Sequence, residues 1–346
     1  MALKDILGQE RALEILKGCI AKNRLAHAYL FAGESGIGKR LTAINFAKTL
    51  NCQKRVMSYE LGVKSEKQNS ELRTPNSELL TQIDCCDKCP SCTKIDKAIH
   101  PDVFFIQPEG DGGQIKIEII RGLEEALSYK AYEGRWKIAI IDEAENLNQS
   151  AANAFLKTLE EPPEHSILIL ISSMPELISE TIRSRCQRIN FSPLPLKMMV
   201  ELLMQNSKLK DLRKPALLGM LSCGRPGRAL SEDLIDKRNR LLDRFKSLLG
   251  MGDINAWDDR DSMEEWFEWV HLWLRDIAVL KATDSSGFLI NYDKESEIKN
   301  ISKNAALKDI LVLSDKLNNI KRLLRFNLNE KVTLNYTSLL LKETFG

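Results

Sequence analysis

Residues 33–42 read GESGIGKRLT, with Gly33, Gly38 and Lys39 where the phosphate-loop pattern G-x-x-x-x-G-K-[ST] requires them and Gly36 between. In such a loop the backbone amides and the N-terminus of the following helix cradle an anion. Lys39 is placed to reach the β- and γ-phosphates of a nucleotide. Position 40 breaks the pattern. The hydroxyl that normally helps hold Mg²⁺ is replaced by Arg40, a side chain with no acceptor and a permanent charge. Thr42 lies two positions further on and points elsewhere around a helix, so it is a poor substitute. Arg40 can instead pair directly with a phosphate. The expectation is that ATP or ADP still binds, that Mg²⁺ is poorly positioned, and that hydrolysis suffers.

Residues 138–147, IAIIDEAENL, supply a second chemical element. An apolar strand ending in Asp142 and Glu143 places one carboxylate near a metal and a second where it polarises an attacking water. The simpler alternative is a strand running into a helix whose first carboxylates favour the helix dipole. A third element is DCCDKCPSCTK at residues 84–94. Cys86, Cys89 and Cys92 have C-x₂-C-x₂-C spacing, which lets thiolates converge on one tetrahedral ion. Cys52 is the expected fourth ligand and Cys85 its competitor, because adjacent cysteines rarely turn the same way. A structural Zn²⁺ is expected, with an iron–sulfur cluster as the alternative. Cys19, Cys186 and Cys223 read as small buried residues.

These groups need a scaffold. Short apolar runs at residues 27–32, 103–106, 138–141, 167–171 and 188–191 alternate with helical patterns. That alternation predicts a parallel sheet with helices on both sides, and such sheets bind ligands at the carboxyl ends of their strands. The strand signal stops near residue 192, where Pro193 and Pro195 mark a boundary. The predicted division is residues 1–192 as an α/β nucleotide-binding domain, 193–238 as a small helical domain and 239–346 as a second helical domain. GRPG at residues 224–227 breaks the first helical domain near its end. Residues 53–84 are polar and carry NSEL twice, seven residues apart; they read as an exposed insertion next to the cysteines.

Bulk properties narrow the function classes. A net charge of +2 over 346 residues gives no global basic field that would argue for nucleic acid by itself. No apolar run reaches the roughly 18 residues of a membrane helix. The amino-terminal residues are charged from position 4 and lack a signal-peptide core, so a cytoplasmic protein without a membrane role is expected. Eight cysteines then read as metal ligands or buried thiols and not as a disulfide framework.

The order of these motifs is specific. HAYLFAG, the phosphate loop, the cysteine cluster, HPDVFF, IAIIDEAENLNQSAANAFLKTLEEPP, ILISS and TIRSRCQRINF follow one another. This order resembles bacterial clamp-loader subunits of DNA polymerase III, members of the AAA+ class. The resemblance is strongest over residues 1–195 and weaker but continuous to the C-terminus. It implies an α/β AAA+ domain with a zinc module, a helical lid and an all-helical collar that assembles a pentamer with gamma/tau motor subunits and delta. That pentamer opens the sliding clamp and loads it onto primed DNA. Arg40, the GRPGRAL stretch at residues 224–230 and WLRDIAVLK at residues 273–281 fit the ring-closing delta prime type better than the gamma/tau motor type. Lys39 and Glu143 point mildly the other way.

The resemblance also assigns roles. Arg185, in TIRSRC, takes the place of an arginine finger acting on a neighbouring subunit's ATP site; read alone, it could equally bond the last carbonyls of its helix. Ser172 and Ser173 fall at the sensor-1 position. Arg228 is the sensor-2 candidate, with Arg225 close enough to compete. Gly8 and Gln9 match a segment that packs near adenine. Arg183 is expected at the surface or capping a helix. The remaining features read as ordinary structure. Trp266, Trp269 and Trp273 form one helical stripe, expected as core or subunit interface. His27 is a packing residue. The basic segment 237–244 is a solvated helix face.

Overall fold

The computed structural model describes residues 1–54, 83–109, 113–205, 215–230, 233–250, 260–324 and 328–346. The polar insertion expected at 53–84 lies outside the described residues, apart from two positions at each end. The chain separates into two compact units. The first is Met1–Met198 with Gly224–Gly227, the second Met199–Cys223 with Arg228–Gly346.

In the first unit, each of the five apolar runs is a strand. In chain order the elements are α1 (Glu10–Ala21), β1 (Ala28–Ala32), α2 (Lys39–Asn51), α3 (Pro90–Asp96), β2 (Val103–Ile106), α4 (Ile117–Ser128), β3 (Lys137–Ile141), α5 (Gln149–Glu160), β4 (Ser166–Ser172), α6 (Glu180–Arg183) and β5 (Gln187–Asn190). The strands form one parallel sheet in the order β2-β3-β4-β1-β5. β1, β3 and β4 are buried along their whole length, as expected of central strands covered on both faces. Alternate residues serve opposite cores. Tyr29, Phe31, Ile138, Ile140, Ile167 and Ile169 pack with Leu16 of α1 and Phe46 and Leu50 of α2. Leu30, Ala139, Ile141, Leu168 and Leu170 pack with Ile120 and Leu123 of α4 and Phe155 of α5. The α/β architecture expected of an AAA+ domain is therefore present, a parallel sheet flanked by helices.

The remaining elements are helical: α7 (Leu196–Gln205), α8 (Pro215–Leu221), α9 (Pro226–Ala229), α10 (Leu234–Leu249), α11 (Arg260–Thr283), α12 (Glu295–Ser302), α13 (Leu307–Leu323) and α14 (Glu330–Phe345). Among the described residues no strand follows β5, and no helix is long and apolar enough to cross a membrane. The tryptophan stripe of α11 is core, with Trp266 0% and Trp269 and Trp273 1% exposed. Within the basic segment 237–244 the expectation of a solvated face fails at Leu242, which joins the core, and among the charged residues at Arg238. Arg238 is 0% exposed and makes a two-pronged pair with Asp293, both contacts at 2.7 Å. Its partner is 55 residues away in sequence, so the local pattern carried no sign of it. Cys19, Cys186 and Cys223, expected as buried, are only half-buried.

Two buried polar side chains of the first unit fix the strand that carries the acidic motif. Asp102, 1% exposed, accepts the backbone N–H groups of Tyr132, Glu133 and Gly134 at 2.7, 2.8 and 2.7 Å. The Asn51 side-chain oxygen accepts from the N–H groups of Arg135 and Trp136, both at 2.9 Å, and its amide donates to the Trp136 carbonyl. Together they hold residues 132–136, the run-in to β3. Burial alone would raise the Asp102 carboxyl, but the three N–H donors outweigh it and hold the group below the usual carboxylate range. Asp102→Ala leaves those N–H groups without their acceptor. It should cost about 3 kcal/mol, roughly 6–10 °C in the melting temperature of a unit this size, read by thermal denaturation. Because the folded pKa is depressed, this contribution is complete above the unfolded value of about 4 and disappears as pH falls through the folded one. The wild-type and variant stabilities should therefore converge on acidification.

Candidate functional site

The carboxyl ends of β1, β3 and β4 lie side by side, and the three loops leaving them bring the predicted residues together. The phosphate loop joins β1 to α2. Gly33, Gly36 and Gly38 all have left-handed φ, +151°, +78° and +100°. At Gly33 a Cβ would sit 2.6 Å from the Phe191 carbonyl oxygen, so both the conformation and the space demand glycine. Lys39 is buried and donates its ammonium to the Gly33 and Glu34 carbonyls at 2.6 Å each. Burial lowers its pKa, and the carboxylates of Glu145, Asp142 and Glu34 oppose that shift.

Segments distant in sequence brace the loop. Gln9 is buried; its amide nitrogen donates to the carbonyls of Ile37 and Ser192, at 3.2 and 2.7 Å, and its oxygen accepts from the Ser192 N–H. All this hydrogen bonding goes to backbone, so in this arrangement Gln9 fastens the loop to the chain leaving β5. At Gly8 (φ +71°) a Cβ would meet the Leu194 side chain at 2.8 Å. GRPG closes over the same loop. The Gly227 N–H donates to the Gly36 carbonyl at 2.9 Å, and a Cβ on Gly227 would lie 3.1 Å from the Gly36 Cα.

The acidic motif leaves β3 beside the loop. Arg40 contacts Asp142 Oδ2 at 3.4 Å and Gln107 Oε1, beyond the end of β2, at 3.5 Å. The other Asp142 oxygen accepts the Glu143 N–H at 3.1 Å. Both oxygens of the expected metal carboxylate are thus engaged. The Thr42 hydroxyl donates to the Gly38 carbonyl at 2.9 Å and is buried. These residues do not fit Mg²⁺: the loop offers no hydroxyl at position 40, and a cation already stands against Asp142. Glu143 is exposed, in left-handed backbone (φ +49°), a conformation uncommon outside glycine and concentrated at functional sites. It accepts from the Asn146 amide at 3.0 Å. Ser172 is buried, and its hydroxyl accepts the Met174 N–H at 3.1 Å. Ser173 gives both its N–H and its hydroxyl to Glu145 Oε1, at 3.0 and 2.7 Å.

The four arginines differ in setting. Arg185 is at the surface, with NH2 on Glu160 at 2.7 Å and NH1 on the Thr181 carbonyl at 2.9 Å. The carbonyl contact matches the helix-end alternative, and the Glu160 contact holds the guanidinium at the exposed C-terminus of α5. Arg228 pairs with Glu268 at 3.1 Å and lies over the Trp269 ring at 4.3 Å. Its competitor Arg225 lies 3.8 Å from Glu34 of the phosphate loop. Arg183 is half-buried.

The cysteines settle into one cluster. The sulfurs of Cys52, Cys86, Cys89 and Cys92 all lie within 4.8 Å of one another, with Cys52 and Cys89 4.0 Å apart. Four thiolates about 2.3 Å from a tetrahedral zinc would be just under 4 Å apart, so this set fits the ion with small adjustments. N–H groups from Cys86 and Cys89 already point at the Cys52 and Cys86 sulfurs, both at 3.3 Å. Cys85 lies outside the set; burial pushes its thiol up to about 11 against the pull of Lys48. Lys48, buried on α2, ties the cluster to the sheet through Asp87 and through Asp96 at 2.9 Å.

Four functional neighbours escaped the sequence reading: Glu145, Gln107, Glu34 and Glu160. Glu145 had a visible signal, a third carboxylate in the acidic motif with its own spacing from Asp142. The others gain meaning only from contacts across the fold.

Comparison with known proteins gives the chain a family. A family model described as "DNA polymerase III, delta subunit" matches residues 8–82 and 73–195, and one described as "DNA polymerase III, delta subunit, C terminal" matches 232–344. The chain is 34% identical to the DNA polymerase III subunit delta' of Bacillus subtilis over 197 residues, which is 57% of this chain and 51% of that protein. It is 33% identical to the DNA polymerase III subunit tau of the same organism, again over 57% of this chain but only 30% of tau. The chain thus spans about half of the first relative and less than a third of the second. Among solved structures, a DNA polymerase III gamma subunit-related protein from Thermotoga maritima aligns over 97% of this chain and 100% of its own, with 21% identity and a TM-score of 0.44. With the first family model alone matching more than half of its residues, this chain belongs to the DNA polymerase III delta subunit family.

Proposed function

We propose that this chain is the delta prime-type, ring-closing subunit of a bacterial clamp loader. In this reading it assembles with gamma/tau motors and delta in a cytoplasmic pentamer that loads the sliding clamp onto primed DNA. It acts as a stator and donates Arg185 to a neighbour's ATP site. The observation that carries the reading is the Arg40–Asp142 contact. A motor needs a metal between its loop hydroxyl and its acidic-motif carboxylate, and here a guanidinium stands in that place. The alternative, a gamma/tau-type motor, draws on Lys39 and Glu143, both present with the loop glycines.

The division of labour follows from the side chains. Gly33, Gly36, Gly38, Lys39 and Arg40 bind the phosphates of ATP or ADP, with Ser172, Ser173 and Arg228 at sensor positions. Lys39 must leave the Gly33 and Glu34 carbonyls to reach a phosphate. Glu143 would position water, but without an aligned metal this chain's own turnover is slow or absent. Residues 1–192 serve as the nucleotide-binding domain, 193–238 as the lid and 239–346 as the collar. Cys52, Cys86, Cys89 and Cys92 hold a structural Zn²⁺, and four thiolates leave the ion no open position for catalysis.

Arg185 has the chemistry a finger requires. A planar guanidinium can meet two phosphate oxygens at once, which an ammonium cannot. Its Glu160 partner is half-exposed, so exchanging that carboxylate for a phosphate takes little from stability. Purified alone, the chain should show no ATP turnover above background. In the complete loader, Arg185→Ala should lower clamp-stimulated hydrolysis at the neighbouring site by at least about tenfold, and Arg185→Lys should rescue little of it. Turnover by the lone chain at a motor's rate would replace the stator reading with the motor one.

The zinc assignment has its own test. Elemental analysis should give one zinc per chain, lost in Cys52→Ser and Cys89→Ser and retained in Cys85→Ser. Strong chelators should lower the melting temperature of the wild type and leave that of the zinc-free variants unmoved.

A further inference from the structure

We propose that the Arg40 guanidinium takes over the electrostatic role of the divalent cation, so that this chain binds a nucleoside polyphosphate without Mg²⁺. The inference rests on the nucleotide-binding reading above and specifies how that site works. An octahedral Mg²⁺ would need oxygen ligands from the loop and from the acidic motif. Position 40 has no oxygen to give. The Thr42 hydroxyl is committed to the Gly38 carbonyl at 2.9 Å. Asp142 Oδ1 accepts from the Glu143 N–H, and Oδ2 is beside Arg40 at 3.4 Å. The two ligands a phosphate-loop site normally gives the metal are therefore absent at position 40 and in contact with other groups at Asp142, while a positive charge is already in place.

Arg40 is suited to the exchange. It is the second residue of α2, at the helix N-terminus where the phosphates would lie. Its side chain is 53% exposed, so it can turn to a ligand without disturbing the core. A guanidinium offers five N–H donors. Both hydrogen bonds seen for Arg40 use NH1 alone, and both are long, 3.5 Å to Gln107 and 3.4 Å to Asp142. The side chain can thus keep Asp142 on one edge and present the other to two phosphate oxygens, a geometry guanidinium favours. Asp142 then becomes an orienting carboxylate for Arg40 and no longer a metal ligand. The loop keeps the rest of its equipment: three glycines in left-handed backbone and a buried lysine.

The test is calorimetric titration of ATP into the full chain in excess EDTA and again in Mg²⁺. For the wild type the two dissociation constants should agree within about threefold, because no protein ligand awaits the ion. Arg40→Ser removes the guanidinium, exposes Asp142 and restores a hydroxyl. That variant should bind at least about tenfold more weakly than wild type in EDTA, one charge-assisted contact being lost, and Mg²⁺ should recover the affinity. The wild-type comparison needs no substitution, so it stands even if the variant misfolds. Tightening of the wild type by Mg²⁺ of tenfold or more would overturn the inference while leaving nucleotide binding intact. Failure to bind ATP in either buffer would overturn both.

Discussion

The adjacency of β3, β4 and β1 is the constraint on which the rest of the site depends. Parallel strands joined by helical crossovers deliver their carboxyl ends to one edge of the sheet. In the order β2-β3-β4-β1-β5, that edge sets the phosphate loop, the Ser172–Ser173 pair and the Asp142–Glu143 pair in a row. A register shift of one residue in β3 would exchange the residues that serve its two cores, and it would carry Asp142 away from Arg40. The polar side chains buried at the opposite edge guard against such a shift. Asp102 and Asn51 clamp the run-in to β3, and five backbone N–H groups are satisfied by two side chains. Stability at one end of the strand is thereby coupled to chemistry at the other.

The cysteine cluster is a second support of the same sheet. Its ligands come from the end of α2 and from the start of α3 and the residues before it. Lys48 on α2 meets Asp87 and Asp96 on the far side. Burying that ammonium alone would lower its pKa, but the two carboxylates reverse the shift and hold it above the ordinary lysine value. The cluster and this ion-pair group both hold the end of α2 to α3 and the residues before it, so α2, which starts at the phosphate loop, is anchored at both of its ends.

Much of this was legible in the sequence because it is local. Five strands announced themselves as short apolar runs of the right residue types, and the phosphate loop and cysteine spacing are written within a few consecutive residues. What stayed hidden is contact across long separations. Cys52 was already expected ahead of Cys85 as the fourth ligand, and the fold places its sulfur beside the other three; the partners of buried charges were less legible. Arg238 sits in a run of charged residues that looks solvated, yet its partner Asp293 lies in another helix-to-helix connection. Arg225 and Arg228 are separated by three positions, one turn at most, and sequence favoured Arg228. Within the first unit Arg225 lies 3.8 Å from Glu34 of the phosphate loop, and within the second Arg228 pairs with Glu268 at 3.1 Å; neither partner is written in the spacing.

In the proposed site, an arginine in place of the metal would change what the chain can do, beyond how tightly it binds. A divalent ion bridges β- and γ-phosphate oxygens and neutralises charge as it builds on the leaving group. A guanidinium supplies half that charge from a planar, covalently tethered group, and it holds oxygens by hydrogen bonds rather than by coordination. It can therefore stabilise a resting polyphosphate better than it can follow the shifting charge of phosphoryl transfer. The backbone around it points the same way. Lys39 is retained by its own loop, Ser173 by Glu145, and Gly36 by Gly227. Each of these three groups has a partner inside the first unit. A site built with such internal satisfaction favours one conformation, which suits the stator role proposed above.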